Sequence, residues 1–183
     1  PPYNYTWTRN TINYASTEDI SNLSTGNYIL SVTDANNCGP KTATFVITEP
    51  PLLQVNLVSQ TNINCYGFAT GAINSSVIGG TPIEITPGVF DYNYSWTGPN
   101  GYTSSNQNIS NLIAGNYNLT VTDAQGCVDT LSVILTQSSE IIINAITTPI
   151  VCYGDNNATI AVTLSGGHAP YQVQWSNLAV GLN

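Results

Sequence analysis

Gly26-Asn-Tyr-Ile-Leu-Ser-Val-Thr-Asp-Ala-Asn-Asn-Cys38 returns as Gly115-Asn-Tyr-Asn-Leu-Thr-Val-Thr-Asp-Ala-Gln-Gly-Cys127. In each copy apolar and polar residues alternate up to Val-Thr-Asp, the period-two pattern of a half-buried strand. The Asp then opens a turn. Its carboxylate can accept from nearby backbone amides, and Asn37 or Gly126 can take a positive φ. Strand, turn and cysteine form a repeated piece of an all-β module, and that repetition excludes most enzyme readings.

The same period recurs elsewhere. Trp7 and Trp96 stand 89 residues apart, as do Cys38 and Cys127, while Cys65-Tyr-Gly returns as Cys152-Tyr-Gly after 87. Such a period is one Ig-sized domain of about 100 residues or fewer. It predicts a complete Ig-like repeat over residues 50–137, the C-terminal half of a repeat over 1–49, and the N-terminal half of the next over 138–183. The chain is expected to be an excerpt of a longer array. In the complete unit, strands are predicted at Leu52–Ser59, Ala72–Ile78, Tyr92–Trp96, Gln107–Ile109, Asn116–Thr122 and Val128–Leu135. Gly79-Gly80 and Gly166-Gly167 end the second strand of their units. Pro50-Pro51, lacking two ladder donors, marks a boundary between units.

Ten acidic residues against two basic ones give a formal charge of −8. That balance repels phosphate backbones and anionic lipid, so nucleic acid is excluded as a partner. No apolar run of about 18 residues is present, which argues against direct membrane insertion. Only 7% of residues are charged, and hydroxyls and amides must supply solubility, as suits a secreted protein. Four cysteines without a C-x-x-C pair, and a single histidine, His168, favour disulfides over zinc.

The ordered set Cys65-x-Gly, Gly71-Ala-Ile, Gly79-Gly80, Tyr92-x-Tyr-x-Trp96, Asn111-Leu-x-Ala-Gly-Asn-Tyr117, Val121-Thr-Asp123 and Gly126-Cys127 resembles the SprB-type repeat of very large cell-surface adhesins of gliding Bacteroidota. Cys152-Tyr-Gly, Gly166-Gly167, Pro170-Tyr171 and Trp175 match its first half, and Leu23, Gly26, Tyr28, Val32-Thr-Asp34 and Cys38 its second. The resemblance implies an extracellular, Ig-like (PKD-like) β-sandwich exported by type IX secretion, working as a spacer in a filamentous protein. One departure stands out. Gly80 to Trp96 takes about eight more residues than Gly167 to Trp175, so Thr81–Phe90 contains an insertion. Extensions on one repeat are where specialised contact is placed, and Thr81, Ile83, Glu84, Ile85 and Phe90 form the candidate contact loop.

Trp7, Trp96 and Trp175 follow Tyr-x-Tyr or Tyr-x-Val-x, which places alternate aromatics on one strand face, and are expected to be core anchors. Tyr28 and Tyr117, each before a Val-Thr-Asp strand end, resemble the tyrosine corner. No metal or cofactor is required; Asp34, Asp123 and Asp155 are the candidates for calcium, although turn capping accounts for such Asp residues without it. No nucleophile, base or paired acids form a catalytic constellation, and His168 has no counterpart in the complete unit. Asp129-Thr130-Leu131 resembles the O-glycosylation site of that phylum, with Thr130 as acceptor.

The cysteines leave alternatives open. Pairing Cys65 with Cys127 would close a long loop worth about 4 kcal/mol. In an Ig-like sandwich, however, the first and last strands run the same way, and a strand of about eight residues spans roughly 25 Å. That far exceeds the 4.4–6.8 Å between Cα atoms that a disulfide tolerates. Cys38, Cys65, Cys127 and Cys152 therefore pair within a unit whose first strand is non-standard, pair between neighbouring units, or stay free. The function expected is the stalk of an extracellular adhesin supporting cell-surface adhesion or gliding, its partners being neighbouring repeats. The rivals are a module binding surface polysaccharide and a self-assembling filament completed by strands of other copies.

Overall fold

The computed structural model describes residues 3–176. The predicted boundaries at 1–2 and 177–183 lie outside the described residues. The chain divides into two compact units, one up to Leu52 and one from Leu53 onward. Among the described residues, apart from a 3-10 turn at Pro99–Gly101, all regular structure is β.

In the first unit β1 (Tyr3–Arg9), β2 (Ile12–Ala15), β3 (Gly26–Asp34) and β4 (Lys41–Ile47) form one antiparallel sheet in the order β2-β1-β3-β4. Trp7 and Tyr28 are buried. The Trp7 indole donates to the Thr17 carbonyl (3.0 Å) and the Tyr28 hydroxyl to the Ser24 carbonyl (2.9 Å). Arg9 reaches the Thr25 carbonyl (2.6 Å) and lies 5.8 Å from the Tyr28 ring centroid, a cation over a π face.

The second unit includes most of residues 50–137, the stretch read from the sequence as the complete repeat. Its strands are β5 (Gln54–Thr61), β6 (Gly71–Ile78), β7 (Ile83–Thr86), β8 (Val89–Asp91), β9 (Asn93–Thr97), β10 (Thr103–Ser104), β11 (Ile109–Leu112), β12 (Gly115–Thr122) and β13 (Val128–Leu135). One sheet runs β11-β6-β5 and the other β10-β9-β12-β13. Alternation places Tyr117, Leu119 and Val121 of β12 and Tyr94 and Trp96 of β9 inward. They meet Leu53, Val55, Ile63 and Ile73 of the facing layer in a single buried cluster, a β-sandwich core. Ser75 is a buried polar position in that core. Asn108 Oδ1 accepts from its amide (3.0 Å), its hydroxyl donates to the Gln107 carbonyl (2.8 Å), and Gln107 Nε2 donates to its carbonyl (2.9 Å). This side-chain pairing explains why the strand predicted at Gln107–Ile109 is found at Ile109–Leu112. Gln107 and Asn108 meet Ser75 with amide side chains, and the ladder begins only afterwards.

The strand predicted at Leu52–Ser59 lies two residues later, because its amides pair with β6 from Gln54 onward. Beyond β5, Ile63 bridges in parallel to Gln137, just past β13. The first and last strands thus run the same way. A further antiparallel pair, β14 (Ile142–Thr148) and β15 (Thr159–Ser165), follows. It corresponds to β5 and β6 by the 87-residue spacing.

Candidate functional site

Three surfaces of the complete repeat carry the residues singled out by sequence: two poles and an inserted hairpin. At the first pole the β12–β13 turn is built around Asp123, which is only 3% exposed. Its Oδ1 accepts from the Gln125 and Cys127 amides (2.9 and 2.8 Å), and its Oδ2 from the Thr81 amide (2.9 Å). Ala124 returns a bond to the Thr81 carbonyl (2.9 Å). The turn is thereby locked onto the Gly80-Thr81 segment. Backbone donation, led by Thr81, holds the Asp123 carboxyl below the usual carboxylate range, against the opposing effect of burial. A side chain at Gly80 would press on Leu53 Cδ1 at 2.9 Å and on this carboxylate at 3.0 Å, and its φ is +62°. Both facts explain the glycine there.

The same turn recurs in the first unit, where Asp34 accepts from the Asn36 and Cys38 amides (2.9 and 2.8 Å). Asp155 is exposed and accepts from Asn157 (3.3 Å). Among the described residues no group of three or more His, Cys, Asp or Glu side chains is placed to hold a metal ion. The structure gives Asp34 and Asp123 backbone amides as partners and leaves Asp155 with Asn157.

At the opposite pole, the segment after β13 is stitched to the segment after β5. Ile63 donates to the Thr136 carbonyl (2.9 Å), Asn62 Oδ1 accepts from Thr136 (3.1 Å), Gln137 Oε1 accepts from Gly67 (2.9 Å), and Ser138 Oγ donates to the Asn64 carbonyl (2.7 Å). One residue on, the Ser139 carbonyl accepts from Gly167 (3.0 Å). The linker between repeats is therefore bonded on both sides. Cys65 lies at this pole and Cys127 at the other, and all four cysteines are exposed free thiols.

Within the insertion predicted at Thr81–Phe90, where sequence reasoning saw only a loop, Ile83–Thr86 and Val89–Asp91 form a two-stranded hairpin, β7–β8. The overlooked signal was the alternation of Ile83 and Ile85 followed, after Gly88 at φ +80°, by the apolar pair Val89-Phe90. Ile85, Val89 and Phe90 are exposed; Thr81 and Ile83 are half-buried, and Glu84 caps the turn by accepting from Gly88 (3.0 Å). The hairpin leaves the frame intact. Tyr92 donates to the Gly79 carbonyl (2.7 Å) across the insertion, and Tyr171 makes the same contact with Gly166 where no insertion exists.

Trp96 is fully buried and donates to the Asn106 carbonyl (3.0 Å), matching Trp7. Tyr117 is buried, donates to the Ile113 carbonyl (3.0 Å) and stacks edge-on against Tyr102. Burial raises its phenol above the ordinary tyrosine value, and burial together with Asp91 does so more strongly for Tyr94. Trp175 lies in the stretch read as half a repeat. It is 63% exposed and lines an open hollow of about 510 Å³ with Ile143, Val162 and Leu164. One sheet layer lies beneath it, and no strand of a second layer is found over it among the described residues. Thr130 is exposed on β13 beside Asp129, whose carboxylate accepts from the Val55 amide (2.7 Å).

Residues 144–180 match the sequence model of the SprB repeat. This chain carries a SprB-type repeat. By the Cys65-to-Cys152 spacing, the matched stretch is the counterpart of the first half of the complete unit. SprB-type repeats occur in cell-surface proteins. No helix among the described residues is long and apolar enough to cross a membrane. No curated protein matches the chain.

Proposed function

We propose that this chain is a stalk segment of a large extracellular adhesin, a non-enzymatic run of tandem Ig-like repeats that supports cell-surface adhesion or gliding. It needs no cofactor, and its principal partners are neighbouring repeats of the same polypeptide. The observation that carries this reading is the linker at Thr136–Ser139. It is hydrogen-bonded to Asn62, Ile63, Asn64 and Gly67 on one side and to Gly167 on the other. A linker held on both sides resists bending, whereas free linkers leave domains to move independently.

Small-angle scattering from the chain tests this. A rod-like distance distribution, kept when Ser138 and Gln137 are intact and broadened in a Q137G/S138G variant, is expected. A distribution already broad in the parent chain would sink the stalk reading.

A further inference from the structure

We propose that the exposed apolar face of β14–β15 is a docking surface for the β1–β3–β4 sheet of a second copy of this chain, so that residues 1–183 associate head to tail. The inference goes beyond the stalk reading and does not depend on it.

The complete repeat shows what each face is built to meet. There β5 and β6 close on β9, β12 and β13 around one buried core. The first unit repeats the second of those layers, register for register. Trp7 pairs with Leu30 as Trp96 does with Leu119, Tyr5 with Val32 as Tyr94 does with Val121, and Tyr28 with Phe45 as Tyr117 does with Val133. The β14–β15 pair repeats the first layer. Ile143 pairs with Leu164 as Val55 does with Val77, and a side chain at Gly167 would meet Ile141 as one at Gly80 would meet Leu53.

Each of these layers leaves open what its counterpart encloses. Phe45 is 47% exposed where Val133 is 3%, and Ile143 is 67% exposed where Val55 is 8%. Leu30 and Val32 are half-buried where Leu119 and Val121 are wholly enclosed. Ile160 is exposed, and Ile73, its counterpart by the 87-residue spacing, is fully buried. Apolar side chains gathered on one face mark a contact surface. The two faces are the two halves of one sandwich core, and residues 3–47 carry the half that β14–β15 lacks.

The path of the chain favours a second copy over the same one. It enters the complete repeat at Leu53, beside Gly80, and leaves it at Thr136, bonded to Ile63. The eight residues of β5 run between those ends, a span of roughly 25 Å. A contact between two unlike faces is heterologous and extends into a ring or an open chain.

Two features make the association reversible. Lys41 stands opposite Val32 where Asp129 stands opposite Val121, so the bond from the Val55 amide to Asp129 has no equivalent in the docked pair. Trp175 already lines the hollow beside Ile143 and Leu164. An incoming Trp7, placed as Trp96 is, must displace it.

Sedimentation velocity of the 183-residue chain over a range of concentrations tests this. Concentration-dependent dimers and longer oligomers are expected. Phe45→Asp and Ile143→Asp, at positions exposed in the separate chain, should each weaken association by roughly tenfold or more, because either buries an unpaired carboxylate in the docked pair. Far-UV circular dichroism checks that both still fold; if Phe45→Asp disturbs the first unit, Ala43→Asp, exposed and paired with Leu30 on the same face, takes its place. An equimolar mixture of the two Asp variants should form dimers and nothing longer, since one copy keeps the first-unit face and the other keeps β14–β15. Trp175→Ser should strengthen association severalfold by removing the competitor. A parent chain that stays monomeric at every concentration overturns the proposal. So does association that either Asp variant leaves unchanged, or a mixture of the two that stays monomeric.

Discussion

Trp96 and Trp175 occupy equivalent places in two repeats and have opposite surroundings. Trp96 follows Tyr-x-Tyr-x and is completely enclosed; Trp175 follows Tyr-x-Val-x and is mostly exposed. The strand pair beneath each is alike, β5–β6 for one and β14–β15 for the other, both antiparallel. What differs is the second sheet. Trp96 is itself carried on β9 of that sheet, with β12 beside it and Leu119 paired directly across the ladder, whereas Trp175 lies in no strand. The apolar side chains of β14 and β15 have no such cover among the described residues, and Ile143, Ile146 and Ile160 remain exposed. A strand pattern thus decides which face is apolar, but burial is conferred only when the sheet that carries the residue is present alongside the facing pair.

The largest expected effect follows from this contrast. Trp96→Ala should destabilise the complete repeat by about 3–5 kcal/mol, a large share of the stability of so small a domain. Trp175→Ala should change it by less than about 0.5 kcal/mol, as an exposed substitution does. Denaturant titration followed by Trp7-independent probes such as far-UV circular dichroism would separate them. Equal losses in the two variants would show that the β14–β15 segment contributes to the same cooperative unit.

The two Asp turns give the next comparison. Asp123 accepts from three backbone amides, including Thr81 of a distant segment, whereas Asp34 accepts only from its own turn. Because the folded-state value of Asp123 is depressed, its contribution is present above the unfolded carboxylate value of about 3.9 and is lost as pH falls through that range. The complete repeat should therefore weaken on acidification below about pH 4. D123N should be less stable at neutral pH and show a flatter acid limb, while D34N should leave the melting of the complete repeat unchanged. An acid limb identical in D123N and the parent would remove Asp123 as its source.

Much of this fold was legible in the sequence, because the information is local and repeated. Gly115–Thr122 and Val128–Leu135 were expected within a residue of where they lie, since period two and the Asp-Ala-Gln-Gly turn fix them without outside help. The misplaced strand near Gln107 failed for a tertiary reason. The Gln107 and Asn108 side-chain amides replace a ladder with bonds to the Ser75 backbone, 32 and 33 residues away, and no local pattern announces that. The exposure of Trp175 accords with the reading of residues 138–183 as half a repeat, since no strand of its own sheet is found among the described residues. At the poles, sequence located the cysteines and the Asp turns but not the seat that Thr81 provides, a contact across 42 residues.

A finer test concerns Tyr117, buried with its hydroxyl on the Ile113 carbonyl, against Tyr153, which stands fully in solvent. Tyr117→Phe should lose about 0.5–1.5 kcal/mol, the net worth of one buried hydrogen bond. Tyr153→Phe should lose nothing measurable. The raised phenols of Tyr117 and Tyr94 add an alkaline signature. A folded value above the unfolded one near 10 makes their contribution complete below about pH 10 and lost as pH rises further, so the complete repeat should weaken there and Tyr117→Phe should blunt the loss.

The smallest effect is expected in the inserted hairpin. Tyr92 reaches the Gly79 carbonyl across it just as Tyr171 reaches Gly166 without it, so the frame closes whether or not β7–β8 is present. Ile85 and Phe90 point away from the core cluster and are exposed. Replacing both with Ser should therefore shift the stability of the complete repeat by no more than about 0.5 kcal/mol. A loss of several kcal/mol would mean that the hairpin covers part of the core. Unchanged stability would leave Ile85, Val89 and Phe90 as side chains this repeat carries outward for some purpose other than its own folding.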